Sequence, residues 1–153
     1  MDLILWRHAE AEDGFPDDSR KLTERGLKQA QKMAQWLKPR IPNNTRIIVS
    51  PAKRTLQTAA ALVTNNTEYE ILPQIGPGAA PDSILNTVNW PYEENTVLII
   101  GHQPTLGQIA SLLYIGNDAG FSVKKSSIWW FSYKDRNSRG NVILRTVMTP
   151  EMI

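Results

Sequence analysis

The sequence predicts an α/β fold: a three-layer sandwich with a mostly parallel central sheet, helices on both faces, and an antiparallel pair at the C-terminal edge. Three observations carry that expectation. Apolar runs of strand length alternate with segments of helical periodicity from the first residues onward. Thr96 to Ile100 is almost entirely aliphatic, as befits a strand buried on both faces. The last segment then changes character and offers two strand-like runs in succession.

Asp2 to Trp6 is the first strand candidate, followed by a polar, acidic loop from Glu10 to Lys21. Thr23 offers a hydroxyl to cap a helix whose apolar positions Leu27, Ala30, Met33, Ala34 and Leu37 share one face. Leu22 and Leu27 have the spacing of a hydrophobic staple around that cap, and Pro39 and Pro42 end the helix. Arg46 to Val49 is the second strand. Ser50-Pro51 turns the chain into a helix over Ala52 to Val63, because proline suits a first helical turn, and Arg54 falls in or beside that turn. Tyr69 to Leu72 is a third, short strand; the Pro/Gly-rich loop Pro73 to Pro81 leads to a short helix beginning at Asp82. After the strand Thr96 to Ile100, Pro104 opens a helix with Leu106, Ile109, Ala110 and Leu113 on its inner side. Ser127 to Tyr133 and Asn141 to Met148, joined by the polar stretch Lys134 to Gly140, read as the antiparallel pair. Within it Trp129 and Trp130 alternate, so one belongs to the core and the other is partly exposed.

A length of 153 residues with 41% hydrophobic side chains fits a single domain spanning 1–153, with no repeat or linker to divide it. Seventeen basic and fifteen acidic residues give a net charge of +2, and neither sign gathers into a tail. Lys124-Lys125 and Lys134 to Arg139 lack the aromatic interleaving of a nucleic-acid surface, so nucleic acid is not an expected partner. Cysteine is absent, which removes disulfides, thiolate nucleophiles and cysteine-ligated zinc together. With no signal-peptide core and no apolar run approaching ~18 residues, a soluble cytoplasmic protein without a membrane partner is expected. Asn43-Asn44-Thr45 and Asn65-Asn66-Thr67 then read as polar turns rather than glycosylation sites.

The chemistry gathers around the only two histidines. His8 follows Leu3-Ile4-Leu5-Trp6-Arg7, and His102 follows Val97-Leu98-Ile99-Ile100-Gly101. Both therefore fall at the carboxyl ends of strands, where open α/β sheets place their ligands. Arg7 and Arg54 stand at comparable strand-to-helix junctions, and a guanidinium is a rigid fork matched to phosphate oxygens. Gly101 lets the backbone approach closely, and Pro104 begins a helix at once. These four side chains suggest a pocket that holds a phosphoryl group and attacks it with an imidazole. A metal is not expected, because two imidazoles beside two arginines oppose a divalent cation. Gly76-Pro77-Gly78 lacks the strand and helix context of a dinucleotide fingerprint and is read as a loop.

Leu5-Trp6-Arg7-His8-Ala9, Ser50-Pro51-Ala52-Lys53-Arg54-Thr55-Leu56-Gln57-Thr58-Ala59 and Gly101-His102-Gln103-Pro104 resemble the three motifs of the histidine phosphatase superfamily, which also includes the phosphoglycerate mutases. Within it the chain is similar to the small phosphohistidine phosphatase branch, the SixA type, which shares the short length and Leu22-Thr23-Glu24-Arg25-Gly26 at the opening of the first helix. The resemblance spans essentially the whole chain.

It implies that His8 is the nucleophile, forming a covalent phosphohistidine that water hydrolyses, while Arg7, Arg54 and His102 bind the equatorial oxygens without a cofactor. Two positions depart from the pattern: Ala9 replaces a usual glycine, and Gln74 stands where many relatives carry a glutamate general acid. A site lacking that acid suits a phosphoramidate better than an alkyl ester, whose alkoxide leaves less readily. Asp17, at a place where the SixA branch has an aspartate, is the candidate replacement acid; Glu10, Glu12 and Asp13 are nearer to His8 in sequence. The expected function is a phosphohistidine phosphatase of signal transduction acting on a phosphohistidine-bearing protein such as a phosphotransfer domain. The alternatives are a phosphatase or mutase of small phosphorylated metabolites, and a non-catalytic module that binds phosphorylated ligands.

Overall fold

The computed structural model describes residues 1–63, 67–137 and 139–153, so Asn65 and Asn66 of the second predicted polar turn lie outside the described residues. Among the described residues, six strands form one sheet: β1 (Asp2–Arg7), β2 (Arg46–Val49), β3 (Glu70–Ile71), β4 (Val97–Gly101), β5 (Ile128–Arg136) and β6 (Arg139–Met148). Their spatial order is β3-β2-β4-β1-β5-β6. The pairs β3–β2, β2–β4 and β4–β1 are parallel, whereas β1–β5 and β5–β6 are antiparallel. The expected mostly parallel sheet with an antiparallel C-terminal edge is what the chain builds.

Among the described residues, four α-helices flank the sheet: α1 (Glu24–Leu37), α2 (Lys53–Leu62), α3 (Pro81–Thr87) and α4 (Thr105–Ile115). Strand alternation sorts the core into two layers. Ile4 and Trp6 of β1 and Leu98 and Ile100 of β4 pack with Met33, Leu37, Ala59 and Leu62 from α1 and α2. The intervening Leu3, Leu5, Val97 and Ile99 face Ile84 of α3 and Leu106, Ile109 and Ala110 of α4. Full burial on both faces explains why β1 and β4 read as unbroken apolar runs. Trp130 is buried and Trp129 only partly so, as their alternation requires.

Local chemistry sets the helix entrances. Thr23 Oγ1 accepts from the Gly26 N–H at 2.9 Å, the expected cap of α1. Leu27, however, is 42% exposed, so the predicted staple does not form. Gly26 takes the buried position instead, because α1 lies so close to the preceding loop that a Cβ there would sit 2.0 Å from the Glu10 carbonyl oxygen. Leu22 packs with Ala9 and Ala30. The polar stretch Lys134 to Gly140 is mostly paired strand rather than connection: Lys134 opposes Asn141 and Arg136 opposes Arg139, with Asn137 turning at φ +57°. Asparagine is among the few residues that adopt such a backbone readily. Among the described residues, no helix is long and apolar enough to cross a membrane.

Candidate active site

The two histidines meet because β1 and β4 are neighbours in parallel register. Arg7 lies opposite Gly101, and the next residue's amide, His8 N–H, donates to the Gly101 carbonyl at 3.1 Å. The ring centroids of His8 and His102 are 5.3 Å apart, with planes tilted by 56°. Arg54 arrives from the first turn of α2, beyond β2, and is buried beside them.

Hydrogen bonds specify the state of each ring. His8 Nδ1 lies 2.8 Å from the Ala9 carbonyl oxygen, which only accepts, so Nδ1 carries a hydrogen. In the neutral ring Nε2 is then a bare lone pair. Burial pulls the His8 pKa down from 6.5 to about 4; the Ala9 carbonyl opposes this, while the Arg54 and Arg7 charges add to it. Thr58 Oγ1 fixes the same stretch by accepting from Ala9 N–H at 3.1 Å and donating to the Arg54 carbonyl at 2.8 Å.

His102 has the opposite tautomer. Its Nδ1 lies 3.3 Å from Arg54 Nη2, a group that only donates, so Nδ1 accepts. Nε2 therefore holds the hydrogen and donates to the fully buried Ser50 Oγ at 2.7 Å. Burial first, then His8 and Arg54, lower this pKa to about 3.

Both terminal nitrogens of Arg54 also reach Asp17. Nη1 donates to the Asp17 carbonyl at 2.8 Å and Nη2 to Asp17 Oδ2 at 3.0 Å. Arg20 Nε holds the other carboxylate oxygen, Oδ1, at 3.0 Å. The Arg54 hydrogen bond, reinforced by both positive charges, holds the Asp17 carboxyl below its ordinary range, so it is ionised at neutral pH. Arg7 Nη1 donates to the Val123 carbonyl at 2.8 Å. The buried Nε–H groups of Arg7 and Arg54 find no acceptor in the structure. Unsatisfied cationic donors are costly unless an anion supplies the missing partner.

All five predicted residues, Arg7, His8, Asp17, Arg54 and His102, line one cleft of about 320 Å³. Asp13 lines it too, whereas Glu10 is occupied elsewhere, accepting from Thr23 Oγ1 at 3.0 Å. Gln74 is exposed in a 3₁₀ turn. Sequence reasoning assigned no role to Ser50, Thr58, Arg20 or Lys125, although Ser50 and Thr58 stand inside the second motif. Arg20 and Lys125 bring the cleft's fixed cations to four, against the two carboxylates of Asp13 and Asp17. A cleft of similar size beside Lys38, Pro42 and Leu62 contains neither histidine nor arginine, so chemistry rather than volume marks the site. Among the described residues no cluster of three or more His, Cys, Asp or Glu is placed to hold a metal ion.

Residues 3–76 match the family model of the histidine phosphatase superfamily, branch 1. A phosphohistidine phosphatase SixA homolog of Haemophilus influenzae is 34% identical over 128 residues, covering 74% of this chain and 77% of that protein. The chain belongs to the histidine phosphatase superfamily. Its relatives put this histidine phosphatase in the SixA-type branch: phosphohistidine phosphatase SixA of Escherichia coli is 29% identical over 76% of each chain. The solved structure of the protein histidine phosphatase SixA complexed with tungstate is 26% identical, covers 99% of both chains and superimposes with a TM-score of 0.82.

Proposed function

We propose that residues 1–153 act as one domain, a phosphohistidine phosphatase working through a covalent phosphohistidine on His8. The observation that carries this reading is the His8 ring itself: neutral, with Nδ1 tied to the Ala9 carbonyl and Nε2 unprotonated, in a cleft dominated by cations. Nε2 attacks phosphorus, the bond from phosphorus to the substrate nitrogen breaks, and the imidazole departs with a proton. Water then attacks the phosphoryl group on His8, releasing inorganic phosphate and restoring the ring. Arg7 and Arg54 bind the equatorial oxygens, and His102 joins them once the entering phosphoryl dianion favours a proton on its Nδ1, which otherwise accepts from Arg54; loss of one such donor costs roughly 3 kcal/mol of transition-state stabilisation, about a hundredfold in rate. No cofactor or metal enters the scheme.

Asp17 is the proposed proton donor. At rest it is an ionised partner of Arg54. A phosphoryl dianion entering against Arg54 competes for that guanidinium and raises the carboxyl pKa by like-charge repulsion, so that Asp17 takes up a proton from solvent and passes it to the departing nitrogen. The choice of phosphohistidine rests on the SixA relatives and on the exposed amide of Gln74 in place of a carboxylic acid. Such a substrate belongs to a cytoplasmic signalling relay.

A second reading draws on Arg20 and Lys125, whose charges would also suit a carboxylate or second phosphate on a small metabolite. The deciding experiment compares kcat/KM on a histidine-phosphorylated phosphotransfer domain with that on phosphorylated sugars and amino acids. Faster turnover of the small esters would favour the second reading. The His8→Ala variant should form no acid-labile phosphoenzyme, while wild type should accumulate one in rapid-quench trapping. Its absence from wild type would leave only a phospho-ligand binding module.

A further inference from the structure

Two carboxylates of the acidic loop, Asp13 and Asp17, line the cleft, and between them Phe15 is 97% exposed. Among the described residues, no other large hydrophobic side chain stands so far into solvent. The ring is presented on a braced loop. At its base Ala11 and Leu22 form an antiparallel bridge and Glu12 N–H donates to the Lys21 carbonyl at 2.8 Å. Near its crown Ser19 N–H donates to the Pro16 carbonyl at 3.1 Å, and Asp17 is held by Arg20 and Arg54.

We infer that Phe15 is an apolar anchor for the protein that presents the phosphohistidine, packing against its surface while the phosphorylated side chain enters the cleft. This inference rests on the phosphohistidine reading above and extends it to the partner. Phe15 is not part of the cleft lining, so a phosphoryl group with its imidazole is accommodated without touching it. Anything the size of a protein meets the ring, because the loop carrying it frames the mouth. A bilayer is the poorer occupant: Glu12, Asp13, Asp17 and Asp18 flank Phe15 along the same exposed loop, and anionic lipid headgroups would be repelled. The matching partner surface is an apolar patch beside the phosphorylated histidine, edged by basic groups that answer these carboxylates.

Wild type, Phe15→Ala and Phe15→Leu are assayed on a phosphotransfer domain phosphorylated on histidine and, in parallel, on free N-phosphohistidine. Burial of a phenyl ring corresponds to roughly tenfold to a hundredfold in affinity. Phe15→Ala should lose about that factor in kcat/KM on the protein through KM, keep the wild-type rate on N-phosphohistidine, and be largely rescued by leucine. Equal rates of Phe15→Ala and wild type on the protein would overturn the anchor, as would a parallel loss on both substrates. A wild-type chain that cleaves N-phosphohistidine but spares the protein overturns the partner. One that cleaves neither overturns the phosphatase reading, and the wild-type assays alone reveal both of these failures.

Discussion

At the scale of single residues, the site is governed by protons. His8 must be unprotonated to attack, and its pKa of about 4 keeps it so well below the ordinary histidine range. The acid limb of kcat/KM, which reports the free enzyme, should therefore fall nearer pH 4 than 6.5. A limb near 6.5 would show that the imidazole is wetter than the fold implies. Ser50 is a positioning residue whose hydroxyl keeps the hydrogen on His102 Nε2. Ser50→Ala should lower kcat/KM about tenfold, in line with one lost hydrogen bond, and change the His102 tautomer seen by ring ¹⁵N shifts; Ser50→Thr should restore both. Asp17→Asn separates proton donation from anchoring. As a donor, Asp17 should matter most for esters with basic leaving groups, whereas an anchoring role alone would alter KM equally for all substrates.

At the scale of elements, close contact between α1 and the loop after β1 explains why Leu27 alone departs from the predicted inner face, whose Ala30, Met33, Ala34 and Leu37 are buried. Periodicity assigned Leu27 to the core, but periodicity cannot see a carbonyl oxygen that leaves no room for a Cβ at Gly26. Gly26→Ala should destabilise the fold by about 1–3 kcal/mol, measured by denaturant unfolding, through overpacking against backbone that has little freedom to yield. A change near zero would mean that the loop gives way. Most strands and helices were legible to within a residue or two, since the parallel core shows its burial as aliphatic runs. The turn at Asn137 was not. Lys134 and Asp135 are exposed although their backbones pair with β6, and an exposed strand end carries the same composition as a loop.

For the whole molecule, the two depressed histidines link folding to pH. The unfolded chain binds protons at ordinary histidine pKa values near 6.5, whereas the folded chain resists until about 4 at His8 and about 3 at His102. Stability is thus full above pH 6.5 and falls as the pH drops toward 4, by on the order of 1.4 kcal/mol per pH unit for each histidine. Thermal melts across this window check the slope, and a flat profile would contradict the burial of both rings. Saturating phosphate at neutral pH should raise the melting temperature, with a gain of about 2.7 kcal/mol at a hundred times its Kd. The four central residues were legible because Arg7 ends β1 and His8 follows it, His102 follows β4, and Arg54 stands in the first turn of α2. Arg20 and Lys125 were not, because loops carry them to the cleft and no local pattern records where a loop returns.

The pairing of Arg7 with Gly101 has an evolutionary corollary. Since main-chain ladders set the distance between the reacting rings, loop residues that do not hold Arg54, as Asp17 does, are free to diverge without disturbing the reaction centre. Transplanting residues 12–16 from a relative onto this scaffold, with Asp17 and Arg20 kept, should exchange clientele while the intrinsic chemical step keeps its pace.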